Sequence, residues 1–172
     1  AEATRSWFKA VGIADDEISK TSLGMQVKRG KIPGSREWSH PYANIGRTNC
    51  SEDEAVKLPL GVLWFGGPGP RRMVSRHWRA PVPIFAGGIL YVRGENDLIA
   101  VDAYNGREMW NLKIEDVGRF AAVSGCNPVA DEEYVYCLQG VSCLKIDHSG
   151  KIKHTFTIPS DRMPASTDKK AK

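Results

Sequence analysis

The residues of this chain best suited to chemistry fall in one basic stretch holding Arg71, Arg72, Arg76, His77, Trp78 and Arg79. Guanidinium groups beside an aromatic ring suit a carboxylate, a phosphate or a sugar, because the planar fork can donate two parallel hydrogen bonds. Arg76, His77 and Arg79 are therefore the first candidates for ligand binding, and Arg119, after Gly118, is a fourth. The competing reading is a solvated loop with Trp78 packed on its neighbours. No nucleophile, base and orienting acid can be assembled along the chain, so no catalytic residue is assigned. Cys50, Cys126, Cys137 and Cys143 form no Cys-x-x-Cys pair and no paired zinc spacing, so no metal site is expected. Cys137 and Cys143 flank a plausible hairpin turn. They could face each other closely enough to bridge, or be small buried thiols.

The charge pattern narrows the partners. Lys and Arg number 24 against 20 Asp and Glu, and the net +4 is spread along the chain, which is not the field of a dedicated nucleic-acid binder. No apolar run approaches the roughly 20 residues that cross a bilayer. The longest candidates are broken by Gly and Pro, as at Gly66-Gly67-Pro68-Gly69-Pro70. The chain starts without a basic segment and apolar core, so its first residues do not read as a signal peptide.

The elements that must position these side chains are legible as a repeat. Ile89-Leu90-Tyr91-Val92, then Leu98-Ile99-Ala100-Val101-Asp102 and Gly106, returns as Tyr134-Val135-Tyr136-Cys137, then Cys143-Leu144-Lys145-Ile146-Asp147 and Gly150. Asp102 and Asp147 are 45 positions apart. That period, with short β-patterned runs inside it, fits four-stranded propeller blades, which cannot bury their faces without neighbours. One unit is expected over 81–85, 89–93, 98–102 and 108–114, and a second over 127–130, 134–138, 143–147 and 151–158. Residues 62–64 share the outer-strand pattern of both units and read as an orphan outer strand. Turns are expected at Gly87-Gly88, Glu95-Asn96, Asn105-Gly106 and Ser149-Gly150.

Residues 7–20 read as a short amphipathic helix, with Trp7, Val11 and Ile18 on one face and Gly12 a weak point. Residues 23–29 alternate as an edge strand. The fold class is thus mainly β: a partial propeller of about two blades plus one outer strand, behind a short N-terminal α/β segment. The expected divisions are 1–33, an irregular linker over 34–60, the blades over 61–159, and a polar, disordered tail over 160–172.

Ala100-Val101-Asp102-Ala103-Tyr104-Asn105-Gly106-Arg107-Glu108-Met109-Trp110 resembles the Ala-x-Asp-x-x-x-Gly-x-x-x-Trp docking motif of the propeller repeat of pyrroloquinoline quinone (PQQ) proteins. Asp102 would hold the turn backbone, Gly106 would close it, and Trp110 would lie between adjacent blades. The second copy keeps Asp147 and Gly150, is one residue shorter, and has His154, Thr155 and Phe156 where the tryptophan would fall. The stretch from Trp38 to Trp110 is similar to bacterial PQQ-like propeller proteins typical of planctomycetes, some of which carry a preceding methyltransferase-like domain. Residues 1–33 could end such a domain, but they hold no Gly-rich loop for S-adenosylmethionine.

The resemblance implies a binding or scaffold module outside the cytoplasm, in the periplasm or beyond it. Its partners would be protein chains or further copies that complete the propeller, or a carbohydrate. The basic stretch and Arg119 would lie near the axial mouth. The alternative is part of a quinoprotein oxidoreductase holding PQQ and calcium, for which the family's adjacent cysteine pair is absent here. No cofactor is therefore expected, and the chain reads as non-enzymatic.

Overall fold

The computed structural model describes residues 2–28, 31–67, 69, 72–74, 80–115, 127–157 and 159. Two antiparallel four-stranded sheets dominate, preceded by one helix and a two-stranded hairpin. The first sheet runs β3 (Ile84–Ala86), β4 (Ile89–Arg93), β5 (Asp97–Asp102) and β6 (Glu108–Lys113), in that spatial order. The second runs β7 (Val129–Ala130), β8 (Tyr134–Gln139), β9 (Ser142–Asp147) and β10 (Ile152–Thr157), also as a meander. These are the two units read from the repeat.

Turn chemistry sets the register. Ala86 pairs with Ile89, so the β3–β4 loop is Gly87-Gly88, both at positive φ, as a two-residue hairpin of matching twist requires. In the first sheet Ile89 then faces Asp102 and Tyr91 faces Ala100. In the second, Tyr134 faces Asp147 and Tyr136 faces Lys145. The central pairs β4–β5 and β8–β9 are therefore in the same register, residue for residue.

Stacking explains the composition of the strands. Ile84, Ala86, Ile89, Tyr91, Leu98 and Ala100 from one sheet meet Ala130, Val135, Cys137, Leu144 and Ile146 from the other in a single core. The opposite face of the first sheet, Val92, Ile99 and Val101, is covered by Trp64 and Met73. A sheet buried on both faces reads as continuous apolar runs, as Ile89-Leu90-Tyr91-Val92 does. The second sheet is buried on one face only, and β8 alternates half-buried and buried residues. Its outer strand β10 is exposed throughout.

The N-terminal segment departs from the reading of a helix over 7–20. α1 spans Glu2–Ala10 and stops before Gly12, which is left-handed at φ 84°. Residues Asp15–Glu17 form one 3-10 turn, and β1 (Ile18–Thr21) pairs with β2 (Gly24–Val27), so the expected edge strand is half of a hairpin. Trp7 and Val11 are exposed and only Ile18 is buried. The cause is local: β-branched Ile18 and Thr21 gain cross-strand partners that a helix could not supply. Arg5 and Lys9 both pair with Asp15, tying the helix to that turn.

One further reading changes and one open alternative is decided. Residues 61–67 belong to no strand, so the outer-strand pattern around Trp64 is present without its sheet. Cys137 is opposite Leu144 and Cys143 opposite Leu138, and both cysteines are thiols. Successive residues of a strand point to opposite faces. Cys137 therefore enters the core while Cys143 lies on the other side of the sheet, out of bridging reach. The tail over 160–172 lies outside the described residues.

Candidate functional site: the tryptophan docks and the exposed sheet face

Asp102 organises the turn after β5. Its Oδ1 accepts from the Tyr104 amide and its Oδ2 from Asn105 Nδ2, each at 2.9 Å, while the Gly106 amide donates to the Asp102 carbonyl. The side chain thus imitates a backbone turn. With Gly106 at φ 75°, the turn presents a bare backbone surface. Trp64 lies on it: a Cβ at position 106 would come within 2.4 Å of the indole, and Trp64 Nε1 donates to the Ala103 carbonyl at 2.8 Å.

The same arrangement recurs one unit later. Asp147 Oδ1 accepts from the Ser149 hydroxyl at 2.7 Å, the Ser149 amide at 2.9 Å and the Lys151 amide at 3.0 Å, and Lys153 Nζ pairs with Oδ2. The Ser149 hydroxyl, the Lys151 amide and the Lys153 ammonium hold the Asp147 carboxyl well below the usual carboxylate range. Trp110 lies on Gly150, and its Nε1 donates to the His148 carbonyl at 2.8 Å. Each tryptophan therefore docks on the turn of the following unit. Asp102, Gly106, Trp110, Asp147 and Gly150 all take part in this device.

Ala100 makes room for the indole, since it is fully buried directly opposite Trp110. The equivalent pair in the second sheet is Lys145 opposite His154. Lys145 Nζ lies 3.6 Å from the centre of the Tyr134 ring, and His154 packs on Phe156 at 4.4 Å between centroids. Small residue and tryptophan are exchanged together, which leaves this face without a dock of its own.

Sequence reasoning passed over two contributors. His148 lends its carbonyl to Trp110, and its ring packs near Tyr91 and covers Gly87. Trp38 exchanges backbone hydrogen bonds with Phe85, and the next residue, Ser39, accepts from the Ala130 amide. Residues 38–39 thereby clip the inner edges of both sheets together. Neither residue belongs to the repeated motif, so only an unusual aromatic in a polar loop hinted at the clip. Tyr91 is the most perturbed phenol: burial first, then Asp131, Asp147 and Glu37, push it far above its ordinary range. Asp131, Glu132 and Glu133 form the charged turn into β8. Burial raises the Asp131 pKa, but the Glu133 and Tyr134 amides and the Tyr136 hydroxyl outweigh it and leave the group lowered.

Arg76, His77, Arg79 and Arg119 lie outside the described residues. Of the basic stretch, Arg72 is described, and it is engaged with Glu108 at 2.8 Å and Asp97 at 3.2 Å. Among the described residues no three His, Cys, Asp or Glu side chains converge as metal ligands. What the arrangement can do is bind surfaces: it stacks sheets through an indole on a glycine turn, and it presents an unstacked face. No helix among the described residues is long and apolar enough to cross a membrane. No protein-family model and no curated protein matches the chain.

Proposed function

We propose that this chain is a segment of a PQQ-like β-propeller that works as a protein-binding scaffold in an extracytoplasmic compartment. One observation carries the reading. The face of the first sheet bearing Ile89, Tyr91 and Ala100 is covered by the second sheet, while the register-equivalent face of the second sheet, bearing Tyr134, Tyr136 and Lys145, has no sheet on it among the described residues. A stacking repeat whose last face is half apolar favours a further sheet there. Leu138, Cys143, His154 and Phe156 continue this surface, and a mixed aromatic and cationic patch of this kind suits a protein surface.

The test is the mass of the native particle by light scattering, with mass spectrometry of every chain in it. Phe156→Lys on the open face should leave the thermal midpoint of the isolated chain nearly unchanged and release the partner. A particle that is always a monomer, or one that carries quinone absorbance, would overturn the proposal.

A further inference from the structure

The turn that receives Trp64 has a second side. Asp102 and Gly106 are separated by three residues, Asp147 and Gly150 by two. Ala103 and His148 do the same task in the two turns, since each carbonyl accepts the N–H of the docked indole. Docking therefore needs only the shorter turn, and the longer one carries a residue beyond it. Tyr104 and Asn105, which stand where the second turn has Ser149 alone, both line a cleft of about 650 Å³. The N-terminal hairpin and residues 31–33 form its other walls, and its size is that of a small-molecule site.

The cleft joins an aromatic platform to donors and acceptors. Tyr104 is half exposed, and its place is set from two directions. Its amide donates to Asp102 Oδ1 at 2.9 Å, and a Cβ on Gly88 would meet the ring at 3.4 Å. Ile32 and Pro33 add apolar surface from the linker. Asp102 and Asn105 keep hydrogen-bonding capacity beyond the turn. Each Asp102 oxygen accepts one hydrogen bond there, and Asn105 Nδ2 donates one of its two hydrogens, which leaves a lone pair on each oxygen and one N–H. Lys31 Nζ is 3.7 Å from Glu37, beyond hydrogen-bond reach, so its donors are also at hand.

We propose that this cleft binds a neutral sugar, with the apolar face of the sugar on Tyr104 and its hydroxyls on Asp102, Asn105 and Lys31. The walls select against charged ligands. An anion would meet Asp102 and Glu17, and a cation would meet Lys31. A hydroxyl suits both, because it donates to a carboxylate and accepts from an ammonium or an amide. A pyranose also presents a flat C–H face, which the ring removes from water. The turn holds that ring in place before any ligand arrives, so little ordering is left for binding to cost. The cleft is remote in sequence from the open face of the second sheet, and neither proposal depends on the other.

The experiment is saturation-transfer NMR on the full chain with maltose, lactose and chitobiose, beside glucosamine and glucuronate as charged probes. At least one of the disaccharides should receive saturation and bind more tightly than either charged probe. Tyr104→Phe should keep that affinity within about twofold, whereas Tyr104→Ala should weaken it about tenfold or more by removing the stacked area. Lys31→Ala alters an exposed side chain and should weaken binding about threefold at an unchanged thermal midpoint, which keeps the test valid where Tyr104→Ala fails to fold. Saturation reaching none of the disaccharides would overturn the proposal. So would tighter binding of a charged probe, or an affinity unchanged by Lys31→Ala and by a folded Tyr104→Ala.

Discussion

A Cβ placed on Gly150 would meet Trp110 Cδ2 at 2.9 Å, closer than side-chain carbons approach one another. The two sheets are held in register by that contact and by the hydrogen bond from Trp110 to the carbonyl of His148. The glycine is required twice, once for its φ of 84° and once for the ring above it.

Gly12 separates those two requirements, because it has the same φ of 84° with nothing within 4 Å of its would-be Cβ. Gly12→Ala should cost about 1 kcal/mol from conformation alone. Gly150→Ala should cost roughly 1 to 3 kcal/mol more, since the indole must move. Urea unfolding of both variants measures the difference, and equal losses would mean that Trp110 is not docked.

Covered and open faces should respond differently to the same new side chain. Ala100→Leu forces bulk against Trp110 and should destabilise by about 1 to 3 kcal/mol. Lys145→Leu, at the equivalent position, should stay within about 1 kcal/mol of the parent, the loss of its contact with the Tyr134 ring included. Thermal midpoints of the two variants check this.

Asp147 makes the fold sensitive to acid. Its folded pKa lies below its unfolded value of about 3.9, so the unfolded chain binds the proton first. The stabilisation is present above about pH 4 and is lost as pH falls through the folded pKa. Asp147→Asn should lower stability at neutral pH and flatten its decline below about pH 4, as read by unfolding across a pH series.

Arg93 is 1% exposed, donates through one guanidinium nitrogen to the Ile114 carbonyl, and has no partner for Nε or Nη1 among the described residues. A buried charge so poorly paired contributes little net stability. Arg93→Met should therefore be neutral or should raise the thermal midpoint, whereas Arg93→Ala should lower it by leaving a cavity. A large loss in the methionine variant would show that the guanidinium has a partner outside the described residues.

Much of this architecture was legible along the chain. β4 was read residue for residue, and most other strand ends of both sheets fall within one or two positions, because their period-2 patterns and glycine turns are local signals. The Asp102–Gly106–Trp110 spacing likewise announced a docking device. The N-terminal helix was misplaced because a helical period persists through residues 11–20, while Gly12 and the β-branched residues after it favour a turn and a hairpin. Spacing left a bridge or two thiols open for Cys137 and Cys143, and the register decides for thiols by putting the pair on opposite faces of the sheet.

Residue spacing alone settled the strands, their turns and the two-unit repeat, since each depends on neighbours a few positions away. Which turn receives which tryptophan depended on the stacking of sheets, because Trp64 meets Gly106 and Trp110 meets Gly150 across about forty residues of chain. The pairing of Ala100 with Trp110, the clip at Trp38 and Ser39, and the contrast between a covered first sheet and an open second sheet arose the same way. They are properties of faces brought together in space, and a linear pattern carries no direct record of which face is left over.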